Sequence, residues 1–349
     1  MKTFQISVLP GDGIGPEVTQ SAVEVINAAT ASDSEISCEY KYLNAGANEY
    51  QRSGTDLPED TLHTCKESDA ILLGAMGLPS VRYPDGRELT PQIEIREQLD
   101  LYGGLRPIFL YHANDTPLKD KQAGEIDILL VRENTQGLFA ARKNGVFDNT
   151  KATDQLVLTR KGCERIIHLA MQEARKRRKK VTLVDKANVL PSMVFFRKIF
   201  HEVAAGYPDI ETECVYIDAM ALFLVRCPER FDVIVTENMF GDILSDLLAG
   251  LVGGMGIAPS ADIGEQCAVF QPSHGTAPDI AGKGIANPLA TILSAALMLK
   301  WLPSTKANAH GSRIEAAVAR SLSNPENRTV DMGGNCTTEQ MTSLVIECL

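Results

Sequence analysis

The sequence predicts an α/β fold around an open sheet, on two recurring observations. Short apolar runs that read as buried strands alternate with longer stretches that read as helices. Each such strand is followed at once by glycine or by a polar residue, and in an open α/β sheet ligands sit outside the carboxyl ends of the strands. Residues 4–9 (FQISVL) lead into PGDGIGPEV and a helix from about Glu17. Residues 69–77 (DAILLGAMG) run into glycine, 126–131 (IDILLV) end at Arg132, and 181–185 (VTLVD) end at Lys186. Residues 214–217 (CVYI) end at Asp218, and 268–272 (AVFQP) run into SHGTAPDIAGKGIANP. The pattern predicts that these polar residues converge on one site.

The chain is organised around 231–256, FDVIVTENMFGDILSDLLAGLVGGMG. DVIVT reads as a strand and the remainder opens a helix carrying Asp242 and Asp246. Four residues apart, the two carboxylates share a helix face about 5–6 Å apart and repel unless something positive lies between them. Their oxygens suit a hard ion such as Mg²⁺ or Mn²⁺. An isolated DxxxD is ordinarily a solvated face, but these acids sit among Ile243, Leu244, Leu247 and Leu248, directly after a strand end.

Other stretches are read in turn. Gly11, Gly13 and Gly15 give GxGxG followed by Pro16, not the GxGxxG of a dinucleotide fingerprint; the turn allows close approach of a ligand but fits a plain turn equally. Residues 90–107 (TPQIEIREQLDLYGGLRP) read as a helix with Arg96 inside it and Arg106 just beyond. RKRRKK at 175–180 reads as a solvated helix end rather than an anion patch. The helix at 288–301, capped by Asn287, is apolar on nearly every face, which predicts burial in a core or a subunit interface. Residues 303–311 (PSTKANAHG) read as a loop, and the glycine-rich 250–264 as a crossing between two domains.

Composition bounds the class. The 349 residues carry a net charge of −11, which argues against a nucleic-acid surface. No apolar run reaches the ~18 residues that span a bilayer. The amino terminus enters a strand directly, so no signal peptide is expected. The eight cysteines are scattered without a CxxC pair, which indicates neither a zinc site nor a disulfide framework and predicts reduced thiols in the cytoplasm.

LPGDGIGPEV, LDLYGGLRP, VRENTQG, VDKANVL, FGDILSD and HGTAPDIAGKGIANP together resemble, in order, the motifs of the β-decarboxylating dehydrogenases (isopropylmalate, isocitrate, homoisocitrate, tartrate and D-malate dehydrogenases). The resemblance covers essentially the whole chain. It implies a two-domain α/β fold without a Rossmann motif: residues 1–100 plus 254–349 holding the cofactor, and 101–253 forming the substrate, metal and dimerisation domain. It implies a homodimer, or a higher oligomer, with shared sites and a small hydroxy-dicarboxylate or tricarboxylate substrate. Arg96, Arg106 and Arg132 would grip the carboxylates. Asp242 and Asp246, with Asp218 from the second subunit, would hold Mg²⁺ or Mn²⁺, and Lys186, also reaching across, would take the hydroxyl proton. Ile14 and the run His274, Gly275, Thr276, Ala277, Pro278, Asp279 and Ile280, with Asn287, would receive the cofactor. Asp279-Ile280 favours NAD, because an acid there accepts from ribose hydroxyls and repels a 2′-phosphate.

Two departures stand out. The family motif ends RENTxGxY, whose tyrosine protonates the enolate; here Phe139 occupies that place, and losing a sole general acid costs roughly 10²–10⁴ in rate. Isopropylmalate dehydrogenases place leucines before the first arginine, where this chain has Thr90 and Gln92; these predict a substrate with a polar side group. Phe139 also raises the alternative of a catalytically weak paralogue or regulatory subunit, against which the retained lysine, aspartates and arginines count. A metal-dependent hydrolase would leave the HGTAPD loop unexplained.

Overall fold

The computed structural model describes residues 2–349. In chain order the elements are β1 (Lys2–Gly11), α1 (Gly15–Thr30), β2 (Ile36–Tyr42), α2 (Ala47–Ser53), α3 (Glu59–Glu67), β3 (Ala70–Ala75), α4 (Pro91–Gln98), β4 (Gly103–Phe109) and β5 (Asp127–Glu133). There follow α5 (Gly137–Ala140), a short hairpin of β6 (Val146–Phe147) and β7 (Ala152–Thr153), α6 (Arg160–Arg175), β8 (Lys180–Asp185), α7 (Pro191–Ala204), β9 (Glu211–Tyr216) and α8 (Ile217–Arg226). The chain closes with β10 (Val233–Thr236), α9 (Asn238–Gly250), β11 (Pro259–Ile263), β12 (Ala268–Pro272), α10 (Leu289–Trp301), α11 (Thr305–Ser323) and α12 (Thr338–Glu347).

Ten strands form one sheet in the order β2-β1-β3-β12-β11-β4-β5-β10-β8-β9. β2, β1, β3 and β12 are mutually parallel, as are β5, β10, β8 and β9. Between them, β11 pairs antiparallel with β12 and with β4, and β4 antiparallel with β5. Three reversals therefore separate strands from the two ends of the chain from strands of its middle, and the two parallel blocks run in opposite senses. This corrects the expectation that all the strand ends share one crevice. Arg132 and the residues after β3 and β12 line a common cavity, whereas Lys186 and Asp218, beyond β8 and β9, do not.

The expected strands form, because runs such as Ile128–Val131 and Val233–Val235 are buried on both faces. Three readings change. Residues 90–107 are not one helix: α4 stops at Gln98, Asp100 takes φ 48°, and Arg106 lies within β4. Pro107 is tolerated in that strand because β11 pairs only with Gly103–Leu105, leaving β4 a neighbour on one side at the proline. Residues 303–311 are mostly helix: Ser304 Oγ accepts from Ala307 N and caps α11, and Gly311 lets α11 cross α10 closely, since a Cβ there would lie 2.5 Å from Ala296 O. The basic run is not simply solvated: Arg177 bridges Asp127 (2.7 Å) and Asp232 (2.8 Å), and its neighbours are ion-paired in turn.

Helix α10 is buried along most of its length and packs on α1, α11, β11 and β12. It is core of this chain and not an interface. Its last residue, Trp301, is partly exposed; other exposed apolar side chains include Val189, Val194, Leu222, Val225 and Ile243 on α7–α9 and the turn before them, and Val146 and Phe147 on the hairpin. No described helix is long and apolar enough to cross a membrane.

Candidate active site

A cavity of about 300 Å³ lies where the two halves of the sheet meet. Its wall is built from the ends of β3 (Leu73–Met76) and β12 (Gln271–Gly275), from Gln92, Ile93 and Arg96 of α4, from Arg106 and Arg132, from Phe139, and from Asp242, Ser245 and Asp246 of α9.

Behind that wall, holding two of its arginines, lies a residue that no sequence motif marks. Asp262, on β11, is fully buried. Its Oδ2 accepts from Arg96 Nε (2.8 Å) and Gln271 Nε2 (2.6 Å), and its Oδ1 from Arg106 Nη2 (3.1 Å) and Asn134 Nδ2 (2.8 Å). Burial by itself would raise the carboxyl, but the Arg96 and Arg106 charges and these donors hold it well below the usual carboxylate range. No motif marked it, because its arginine and asparagine partners lie far away in sequence.

Arg132 leaves the end of β5 and is seated by α9. Gly241 permits the approach, since a Cβ there would fall 2.6 Å from Arg132 Cγ. Asn238 Oδ1 accepts from Arg132 Nε (3.1 Å) and Nη2 (2.8 Å), and Nη1 pairs with Asp242. Burial, with Arg96 close by, brings the guanidinium down to about 10. Helix α9 is itself fixed by Glu237, whose carboxylate accepts from Phe240 N and Met239 N.

The helical pair Asp242 and Asp246 shares the cavity wall as its spacing predicts. Partial burial, and then the Asp242 charge, raise Asp246. A cation between the carboxylates would relieve that repulsion, so the donor set suits a hard ion. Asp218 is not with them: its Oδ1 meets Lys186 Nζ at 2.8 Å, and Lys186 lowers its pKa. Among the described residues, no group of three or more His, Cys, Asp or Glu side chains gathers to hold a metal ion. A single chain thus supplies two of the three carboxylates named from the sequence.

Of the remaining predicted residues, Gln92, Phe139, His274 and Gly275 line the cavity and the others do not. Thr90 is the N-cap of α4 and does not line the cavity, while Gln92 does, its Oε1 buried without a partner. The Phe139 ring forms wall 5.7 Å from Arg132 Cζ. His274 Nδ1 lies 2.9 Å from Gly275 O, so its Nε2, buried and unpartnered, presents a lone pair; burial lowers the imidazole pKa. Thr276 is buried, Ile14 packs with Ala277 and Ile280, and Gly275, Pro278 and Asp279 are exposed. Asn287 is buried and engaged internally, Oδ1 accepting from Leu289 N and Nδ2 donating to Asp331.

The chain belongs to the isocitrate/isopropylmalate dehydrogenase family, whose profile matches residues 5–345, and by that membership it is a decarboxylating dehydrogenase of the β-decarboxylating class. Among relatives, it is 45% identical to the 3-isopropylmalate dehydrogenase of Aquifex aeolicus, covering 95% of this chain and 92% of that one. It is 42% identical to the 3-isopropylmalate/3-methylmalate dehydrogenase of Methanocaldococcus jannaschii, over 97% and 96% of the two chains. Among solved structures, isocitrate dehydrogenase from Methylococcus capsulatus superposes with a TM-score of 0.89 at 37% identity, covering 99% of each chain. The apo β-decarboxylating dehydrogenase of Thermococcus kodakarensis gives 0.82 at 39% identity, over 99% and 96%.

Asp262→Asn leaves Arg96 and Arg106 without their buried counter-charge and should cost about 3–5 kcal/mol of stability at pH 7. Because the folded carboxyl titrates below its unfolded value of about 3.9, that stabilisation is complete above the unfolded value and is lost as pH falls below it. Urea unfolding of wild type and variant at pH 7 and pH 3 should show the gap narrowing; an equal gap at both would contradict the assignment.

Proposed function

We propose that the protein oxidises a 2-hydroxy acid bearing a neighbouring carboxylate, using NAD and Mg²⁺ or Mn²⁺, and releases CO₂ from the resulting β-keto acid. The observation that carries this reading is one cavity in which Arg96, Arg106 and Arg132 face Asp242 and Asp246. The arginines suit a dianion, with Arg96 and Arg106 already aimed by Asp262. Arg132 and Asp242 satisfy each other; a ligand carboxylate would take the first and a cation the second. The metal, when bound, lowers the pKa of the hydroxyl it polarises and stabilises the charge left by decarboxylation. Residues 274–280 and Ile14 would hold NAD, which would supply the hydride acceptor; Asp279 would accept from ribose hydroxyls and repel a 2′-phosphate.

Gln92 argues for a polar side group on the substrate, since an alkyl group against its buried Oε1 leaves that atom without a donor. The second reading is an alkyl-substituted malate, which the names of the similar enzymes favour. Absorbance at 340 nm with NAD or NADP, Mn²⁺ and a panel of both substrate types decides. NAD and polar substrates should give the higher kcat/KM, and Gln92→Leu should cost the polar substrate roughly 1–3 kcal/mol of transition-state binding. A preference for NADP would sink the cofactor reading, and a preference for alkyl substrates the polar one.

Lys186 and Asp218 enter this scheme only from a second copy. Asp218 shares α8 with the exposed Leu222 and Val225, and Val189 follows Lys186 closely in the chain; a second copy would cover these side chains. Lys186→Ala and Asp246→Ala chains, each inactive alone, should regain activity when mixed, because half the sites of a heterodimer then carry neither lesion. Verified heterodimers without activity would refute sharing.

With Phe139 in the wall, hydride transfer keeps its groups and only the final protonation lacks its phenol. Phe139→Tyr should raise CO₂-coupled turnover by up to about 10²–10⁴, less where water already donates. NADH and CO₂ are measured separately; matched fast release in the wild type with no gain in the variant would defeat the idea.

A further inference from the structure

We propose that Asp12, a buried carboxylate outside the cavity, is a positioning residue that seats the 274–280 loop. Asp12 has no exposed surface. Its Oδ2 accepts from Ala47 N (2.6 Å) and Gly77 N (2.8 Å), and its Oδ1 from Asn48 N (2.9 Å). A buried carboxylate persists only where its lone pairs are met, and three amides on two separate segments meet these. Gly46, at φ 104°, makes room: a Cβ there would fall 2.3 Å from Asp12 Oδ2. The carboxylate thereby fixes the stretch after β3 against the turn after β1, and both hold the loop. Gly77 O accepts from Thr276 Oγ1 (2.7 Å), and Thr276 O accepts from Ile14 N (2.9 Å), two residues beyond Asp12. Gly13 permits that contact, since a Cβ on it would lie 2.0 Å from Thr276 O. Next in the loop, Ala277 is held at φ 36°, a strained conformation that survives only where its surroundings fix it. The chain of contacts from Asp12 through Gly77 to Thr276 supplies that fixing.

The inference rests on the reading that this loop receives NAD, and the test separates the two. NADH fluorescence on binding to the wild-type enzyme, lost when Asp279→Ala is introduced, establishes the loop as the cofactor seat; unchanged binding in that variant overturns the cofactor reading, and with it this role. Asp12→Ala should then raise KM for NAD about tenfold, as expected for loss of a charge-assisted hydrogen bond. KM for the hydroxy acid and kcat at saturating NAD should change less than about twofold, a split that a general loss of stability does not produce. Asp12→Asn, which keeps an acceptor oxygen, should recover part of the affinity. Thr276→Val breaks the same relay from the other side and leaves Asp12 in place, so it serves if Asp12→Ala does not fold. Combined with Asp12→Asn, it should cost less than the product of the single effects. Equal rises in both KM values, or additive effects of the pair, would overturn the proposal.

Discussion

The structure depends on one buried charge. Asp262 lies on β11, the strand that joins the half of the sheet built from the chain's ends to the half built from its middle. Its carboxylate receives donors from α4, β4, β12 and the residue after β5. Burying a carboxylate costs several kcal/mol, and here two guanidinium groups and two amides offset that cost. The same contacts prevent Arg96 and Arg106 from simply repelling each other. An anion entering the cavity therefore meets cations whose direction is already set, with little further ordering to be done.

The order of the strands has a second consequence. β5 and β10 lie near the junction, so Arg132 and α9 meet the loops after β3 and β12, whereas β8 and β9 lie farther out, β9 at the edge, and their ends do not line the cavity. Lys186 and Asp218 then pair with each other at a half-exposed position. An exposed pair of this kind contributes little to stability, ~0–1 kcal/mol, so stability alone gives no reason for it. Its neighbours Val189, Val194, Leu222 and Val225 are apolar and exposed. On the proposed sharing of sites, these are side chains that a second copy would cover.

What was legible in the sequence follows from how local the determining physics is. Strands buried on both faces appear as unbroken apolar runs, so β1, β3, β5, β8, β10 and β12 were readable. Strand β4, GGLRPIF, and strand β11, PSADI, were not, because glycine, proline, arginine and aspartate obscure the pattern and their pairing is set by distant neighbours. That omission hid Asp262, whose arginine partners are 156 and 166 residues away. Asp242 and Asp246 were readable because helix spacing alone puts them on one face. Helix α11 was misread because Gly311 and Ser304 look like loop residues, whereas one is a close helix crossing and the other a cap.

The two departures from the family pattern also have a structural logic. Asp262, Arg106 and Arg132 each hold two or more partners and Arg96 is paired with Asp262, so changing one strands the others and costs several kcal/mol. Gln92 and Phe139 are different. The side chain of Gln92 leaves its Oε1 unpartnered, and the Phe139 ring lies 5.7 Å from Arg132 Cζ. Both face the cavity, and little of the frame relies on either. Substitutions there alter what the cavity touches without unsettling what holds it. On the proposed function, the fixed frame would carry the chemistry common to the family, and the free wall what distinguishes this member.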